Sequence, residues 1–540
     1  MATLARVRGS PASTRAAGPP APPWLVAAAL LVGLLGILPI GYLAALAASS
    51  DQSALELALR ERTLGVLARS LLLAGVVTAA SVAVGVPIAW LTTRSDLPGR
   101  RWWSVVCVLP LVVPSYVGGY AVVAAFGPRG ALQSFLEPLG VQRLPELYGF
   151  PGAALTLTLF SFPYVVLSVR GALLRLDPAY EEVSRSLGRG PWSTFLGVTL
   201  PQLRPAITAG ALLVALYSLA DFGAVSLLQF DSFTRAIFVQ YRASFDPTLA
   251  AVLALFLVAA TGALLLAEAG LRGRARYHRS GGGAARAVRA VQLGGWRWPA
   301  LALVSGVVVL AIVVPVATIL FWLARGITSG EPLRFVADAA LNSLVASCLA
   351  AILAVLAAVP VAVLAVRHRG VLAALVERAT YAGFALPGIV IGLAFVFVAA
   401  RYLPWAYQTL PLLLVAYLVR FAPEAVGATR AALLQVSPRI EEVARTLGRR
   451  PGGVLRDVTL PAIQPGLLAA GALVFLTAMK ELPTTILLAP TGFDTLAVRI
   501  WSATSDGFFA RAAPPAILML VVAAASLGLI LRGEAERRPA

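Results

Sequence analysis

From Trp24 to Ala48 the chain reads WLVAAALLVGLLGILPIGYLAALAA, twenty-five residues without a charge. About 20 apolar residues is the length an α-helix needs to cross the hydrocarbon of a bilayer. One such run could be a buried core helix, but this chain repeats the pattern a dozen times. The runs lie at about 24–48, 66–92, 103–126, 151–173, 204–229, 248–270, 298–323, 340–365, 379–400, 408–428, 463–489 and 512–531. The tenth is interrupted by Arg420 and Pro423. Hydrocarbon offers backbone groups no partner, so such runs are expected as helices. The expected fold is therefore an all-α polytopic membrane protein with about 12 transmembrane helices. At 59% hydrophobic and 13% charged residues, the chain has too little polar surface for a soluble protein, where about 25% is charged.

Charge placement sets the expected orientation. The formal net charge is +19, almost all of it arginine, and Lys480 is the sole lysine. With the N-terminus cytoplasmic, the inner segments collect arginine: Arg94, Arg100 and Arg101 after the second run, and Arg367, Arg369 and Arg378 after the eighth. The stretch 271–297 adds Arg272, Arg274, Arg276, Arg279, Arg286, Arg289 and Arg297 with no acid. The opposite loops are nearly balanced, as in Asp231, Arg235, Arg242 and Asp246. That asymmetry follows the positive-inside rule, so both termini are expected inside. The basic balance is a topology signal and points to no nucleic-acid partner. Residues 1–23 are basic and Ala45–Ala47 resembles a cleavage site, but the first run exceeds the 7–15 residues of a signal core. An uncleaved first helix is expected.

A repeat organises the chain. ARSLLLAGVVTAASVAVGVPIAWLTTR (68–94) aligns with LNSLVASCLAAILAVLAAVPVAVLAVR (341–367), pairing Pro87 with Pro360 and Pro114 with Pro387. EEVSRSLGRGPWSTFLGVTLP (181–201) aligns with EEVARTLGRRPGGVLRDVTLP (441–461). The spacing shortens between these two alignments, which places extra residues in the outer loop 127–150 of the first half. Six crossings per half make the repeat parallel. The expected divisions are 1–63, an N-terminus with the first helix; 64–268, a first unit; 269–297, an Arg/Gly-rich cytoplasmic linker; 298–337, the seventh helix and an outer loop; 338–530, a second unit; and 531–540, a cytoplasmic tail.

The duplicated charged segment should hold a short helix, about 178–187 and 438–447. Asp177 and Ser437 suit N-caps, and the prolines after them suit the first turn. Gly188 and Gly448 suit the position just past a helix end. Tyr180, Val183 and Leu187, like Ile440, Val443 and Leu447, fall on one face. Glu181 with Arg185, and Glu441 with Arg445, sit four apart and are expected to support the exposed face. Such a helix is either a solvated loop helix or a docking element. Its duplication at equivalent places favours docking.

These residues resemble the cytoplasmic loop of ABC importer permeases: Glu-Ala-Ala, three residues, Gly, nine residues, Ile, one residue, Leu-Pro. The first copy gives Glu182-Val183-Ser184, Gly188, Val198 and Leu200-Pro201. The second gives Glu442-Val443-Ala444, Gly448, Val458 and Leu460-Pro461. Both depart at the small residues and at Ile. The resemblance covers about 64–268 and 338–530, and implies two tandem type I permease units in a prokaryotic plasma (inner) membrane. It implies that Glu181, Glu182, Gly188, Leu200, Pro201, Glu441, Glu442, Gly448, Leu460 and Pro461 couple the pore to two copies of a cytoplasmic ATPase subunit. One permease chain per transporter is implied, with membrane lipid around it, and nucleotide would bias an inward–outward equilibrium. ATP would be used by the partner subunit, with no cofactor bound by this chain. The chain itself lacks GxxxxGK[ST], since Lys480 lies in TAMKELP without a glycine loop. No nucleophile–base arrangement stands out, so no enzyme is expected. Cys107 and Cys348 form no CxxC pair, and His278 and His368 have no metal-ligand spacing.

Asp221 and Glu481 occupy equivalent places after the duplicated segments, with Lys480 beside Glu481. Intramembrane charge calls for an explanation. One reading is structural, with two acids near the outer ends of helices five and eleven, held by arginines or Lys480. The other is a negatively lined cation path between the halves, formed by Asp221, Lys480 and Glu481. The stretches 219–241 and 480–513 resemble the iron(III) permease subfamily, which fuses two units in one chain. That resemblance implies an extracytoplasmic substrate-binding protein carrying the tight iron site. Related fused permeases handle thiamine, phosphonates or polyamines. An ion-coupled secondary transporter would also show repeats and buried acids, but it needs no matched docking helices, nor does a channel.

Overall fold

The computed structural model describes residues 21–49, 56–127, 147–177, 179–243, 247–271, 290–330, 334–368 and 370–535, with isolated positions between 130 and 137. Among the described residues ten helices are long and apolar enough to cross a membrane, and a sharply bent pair makes an eleventh candidate. The chain is thus a multi-pass, helical membrane protein. Helix α1 spans Pro23–Ala48 and α2 spans Glu61–Arg94. The bent pair holds α3 (Arg100–Val106) and α4 (Ser115–Phe126). Then come α5 (Phe150–Arg175), α6 (Ala179–Ser186), α7 (Leu200–Ala220), α8 (Gly223–Leu227), α9 (Phe233–Ala243) and α10 (Pro247–Leu271). The second half opens with α11 (Arg297–Val308) and α12 (Val314–Thr328), joined by a π turn. It continues with α13 (Arg334–Arg367), α14 (Val371–Ala382), α15 (Gly388–Tyr402), α16 (Leu410–Gln435) and α17 (Pro438–Thr446). It closes with α18 (Leu460–Met479), α19 (Pro483–Leu488), α20 (Leu496–Ser505) and α21 (Phe509–Ala535).

The repeat holds element by element. Helices α2 and α13 are both 34 residues long, and α5 and α16 both 26. Helices α2, α5 and α7 pack together, as do α13, α16 and α18. The tenth run, despite Arg420 and Pro423, is one continuous helix, α16.

Four expected spans are corrected. The run 103–126 is broken, its two arms meeting at 91°. The run 379–400 is broken likewise between α14 and α15. A residue before proline is pushed out of the helical region. Val113, before Pro114, sits at φ −78°, ψ 120°, and Leu386, before Pro387, at φ −88°, ψ 126°. The runs 204–229 and 463–489 end early as helices. Helix α7 stops at Ala220 and α18 at Met479, and the short helices α8 and α19 follow. In both places a charged residue marks the break.

The lead helices cross over. Helix α1 precedes the first unit but packs on α14 and α13 of the second. A Cβ on Gly36 would lie 2.5 Å from the Ala379 carbonyl oxygen, so the bare glycine permits the close approach typical of membrane helix pairs. The lead helix of the second half, through α12, packs on α4 of the first. Its start is clipped to the loop after α2. The Val291 amide donates to the Arg94 carbonyl at 2.8 Å, and the Asp96 amide to the Val291 carbonyl at 3.1 Å. The Asp96 carboxylate accepts from the Leu293 amide at 2.9 Å and from Arg297 Nη2 at 2.7 Å. These two donors, the amide first, hold its carboxyl below the usual carboxylate value. Residues 272–289 of the expected linker, most of the outer loop 127–150, Pro178 and His278 lie outside the described residues.

Candidate functional site

The two short helices form where expected, and their ends explain the glycines. The Gly188 amide donates to the Arg185 carbonyl and the Arg189 amide to the Ser184 carbonyl; the Gly448 and Arg449 amides repeat the pattern on Arg445 and Ala444. This is a Schellman end, which requires the left-handed residue, and both glycines sit at φ 83°. At the front, Asp177 Oδ1 accepts from the Ala179 amide at 3.0 Å. Ser437 makes no side-chain cap and contributes only its carbonyl.

The helices are turned inside out relative to a soluble amphipathic helix. Tyr180, Val183 and Leu187 are 50, 58 and 76% exposed, and Ile440, Val443 and Leu447 are 52, 57 and 79% exposed. Glu182 and Glu442 are exposed beside them. The two apolar faces match residue for residue, and each is offered outward. A stripe of large apolar residues facing away from the fold marks an interaction surface.

Glu181 and Glu441 correct the expected exposed face, because both are buried. Each still meets its arginine, Arg185 at 3.9 Å and Arg445 at 3.5 Å, but its main partners lie inside. Thr199 Oγ1 donates to Glu181 at 2.9 Å, and Thr459 Oγ1 to Glu441 at 3.2 Å. Both threonines close a π turn, Phe195–Thr199 and Leu455–Thr459. The Leu-Pro pairs account for that turn. Pro201 and Pro461 have no amide hydrogen for the helical bond. The amides of Leu200 and Leu460 instead reach five residues back, to Phe195 and Leu455. Leu200 and Leu460 are half-buried at the start of α7 and α18; Pro201 is half-buried and Pro461 exposed. Glu181 and Glu441, each one residue before the glutamate of the sequence pattern, therefore meet the threonines that immediately precede the Leu-Pro pairs.

Asp221, Lys480 and Glu481 gather at a second place, a cavity of about 480 Å³ between the halves. It lies where the broken helices meet α8 and α19. The first half contributes Tyr116, Tyr164, Tyr217 and Asp221, and the second contributes Arg420, Glu424, Lys480 and Glu481. Each acid caps a short helix. Asp221 Oδ1 accepts from the Ala224 and Val225 amides at 3.0 and 3.2 Å. Glu481 Oε1 accepts from the Thr484 amide and hydroxyl at 3.2 and 2.6 Å. Arg420 approaches Glu481 at 3.9 Å and donates to the Leu386 carbonyl. Lys480 donates to the Leu111 carbonyl of the other half at 3.1 Å. The two helix breaks therefore expose carbonyls, and a cation of the second half meets each. Among the described residues no three His, Cys, Asp or Glu side chains converge as a metal centre.

Arg94, Arg367, Thr199, Thr459, Arg420 and Glu424 escaped the sequence reading as site residues. In the sequence the two arginines are a matched pair at the ends of the aligned stretches, where they serve as orientation signals. The threonines lay in the duplicated VTLP.

Comparison with known proteins adds the family. The profile of the binding-protein-dependent transport system inner membrane component matches residues 81–269 and again 339–533. The Fe(3+)-transport system permease protein FbpB 2 of Haemophilus influenzae is 36% identical over 509 residues, 93% of this chain and 97% of that protein. The sulfate transport system permease protein CysT of Escherichia coli is 32% identical over 196 residues, 35% of this chain and 69% of its own length. The molybdenum transport system permease protein ModB of Azotobacter vinelandii is 33% identical over 186 residues, 34% of this chain and 80% of its own. With the profile matched in both halves and one relative aligned almost end to end, the chain belongs to the family of binding-protein-dependent transport system inner membrane components.

Proposed function

We propose that this chain is the membrane permease of an ATP-driven importer whose cargo is ferric iron, one chain per transporter. An extracytoplasmic binding protein delivers the metal, and two copies of a cytoplasmic ATPase subunit dock on α6 and α17, with both termini on their side of the membrane. The observation that carries the docking reading is the pair of outward apolar faces, equally exposed in both halves. Glu182 and Glu442 stand beside those faces and contribute polar contacts to the ATPase. Gly188 and Gly448 shape the helix ends, while Leu200-Pro201 and Leu460-Pro461 set the turn into the membrane helices.

Iron is favoured over an oxyanion on two grounds. The iron permease aligns with both halves, whereas the sulfate and molybdenum permeases each align with about a third of the chain. The cavity also carries three carboxylates, Asp221, Glu424 and Glu481, against two cations, Arg420 and Lys480. Scattered acids, two of them already serving as helix caps and the third bonded to Thr477, suit transient passage of a cation rather than tight capture. Tight binding then belongs to the delivery protein.

The test is uptake by vesicles holding this chain and its ATPase, supplied in turn with binding proteins loaded with iron, thiamine or phosphonate. ATP-dependent uptake of iron alone is expected. Uptake of another cargo, and not of iron, would overturn the assignment. In the same vesicles, Glu182→Ala with Glu442→Ala is expected to cut uptake at least about tenfold, the loss of two charge-assisted interface contacts, while the chain still inserts. Unimpaired uptake in that double variant would remove these residues from the coupling role.

A further inference from the structure

Each docking helix is fastened to the membrane helices through its buried glutamate. In the second half, Arg367 ends α13 and directs Nε to Glu441 at 3.1 and 3.2 Å. Its Nη2 donates to the Leu433 and Val436 carbonyls at the end of α16, at 3.3 and 3.1 Å. Thr459 holds the same carboxylate from the π turn leading into α18. One guanidinium–carboxylate pair therefore joins α13, α16, α17 and α18.

The first half builds the same junction but leaves it incomplete. Arg94 ends α2 and its Nη2 donates to the Leu173 and Leu176 carbonyls at 2.8 and 3.2 Å. Thr199 holds Glu181 at 2.9 Å. Yet Nε and Nη1 of Arg94 are buried with no partner, on a residue only 2% exposed. Buried donors without acceptors are costly, and an unpaired buried guanidinium more so. Glu181 makes its ion pair with Arg185 instead, at 3.9 Å, so completing the inner pair requires α6 to move against the end of α2.

We propose that Arg94 and Arg367 are positioning residues, each forming with Glu181 or Glu441 a latch that carries movement of the docking helix into the membrane helices. The latch is closed in the second half and open in the first. Its place in the transport cycle rests on the reading of α6 and α17 as ATPase docking helices. Its existence as a junction does not. Were these glutamates part of the ATPase-facing surface, they would share the exposure of Glu182 and Glu442; instead they are turned through the helix to the opposite side.

Two measurements test it. Hydrogen exchange of the full-length chain in detergent reads the junction without any partner. Arg367→Gln is expected to speed exchange of amides 439–447 at least about tenfold, as removing one member of a buried pair should. Glu441→Gln should do the same, and the double variant should be no worse than either single one, the mark of two residues acting as a unit. Arg367→Lys, which keeps charge but loses the fork, should fall between. Unchanged exchange, or additive effects, overturns the latch. In vesicles with ATPase and binding protein, Arg94→Gln with Arg367→Gln should lower uptake per ATP hydrolysed about tenfold while the ATPase still co-purifies. Parallel loss of bound ATPase and uptake would reduce these residues to a docking role and overturn the transmission claim. Failure of the wild-type chain to retain an ATPase would instead sink the importer reading, leaving the exchange experiment to judge the junction.

Discussion

Aspartate at both Val183 and Val443 is expected to lower ATP-dependent uptake at least about a hundredfold, with loss of ATPase co-purification and little change in the folded chain. Both valines are more than half exposed, so neither substitution removes packing inside the protein. An ionised carboxylate placed at the centre of a desolvated interface costs about 2–4 kcal/mol per site, and the pair therefore exceeds two decades in affinity. Single variants separate the halves, each disabling one docking helix. The measurements are co-purification of the ATPase, uptake in vesicles, and the melting temperature of the detergent-solubilised chain. A double variant that still binds its ATPase would show that these faces meet lipid headgroups, not a protein. A large fall in melting temperature would show that they pack internally.

The second large effect is expected at Lys480. Its ammonium sits among the carboxylates of the cavity and crosses to the Leu111 carbonyl of the other half. Lys480→Met leaves three acids facing one cation, Arg420, and frees a carbonyl at the break of the first half. Breaking a buried charge set by removing one partner costs about 3–5 kcal/mol. The expected readout is a clear fall in the melting temperature of the purified chain, together with loss of uptake. Glu424→Gln keeps an acceptor for the Thr477 hydroxyl, which bonds Glu424 at 3.0 Å, while removing a negative charge. Combined with Lys480→Met it should restore at least half of the lost stability, since the charge balance returns. If the double variant is no more stable than Lys480→Met alone, the lysine acts through its bond to Leu111 and not through charge.

Apolar periodicity carried most of the architecture. Runs of membrane length and the matched prolines set the helix count to within the broken spans, with the ends of the second and eighth runs two residues short of Arg94 and Arg367. Where it failed, the reasons are local. Hydropathy averages over a window, so it is blind to the bends at Val113–Pro114 and Leu386–Pro387, although the prolines that cause them were in view. The same averaging ran helices through Asp221 and Lys480–Glu481, where an acid caps a new short helix. For the docking segments, capping and spacing gave the helices but not their rotation. Four-residue spacing of Glu181 and Arg185 reads as a surface pair when the helix is taken alone. The fold reverses that because Thr199 and Thr459 offer buried partners, while the apolar stripe is left exposed.

The exchange of lead helices makes the covalent joint between the halves dispensable. With α1 held mainly by α13 and α14 of the second unit, and α12 seated between α4 of the first and α21 of the second, separating the units would expose buried surface of both lead helices to lipid or detergent. Cleavage at a protease site inserted into the arginine- and glycine-rich stretch 272–289 is therefore expected to yield two fragments that co-elute as one particle and still import. Separation of the fragments on a sizing column would mean that the linker, and not the interlocked helices, holds the two units together.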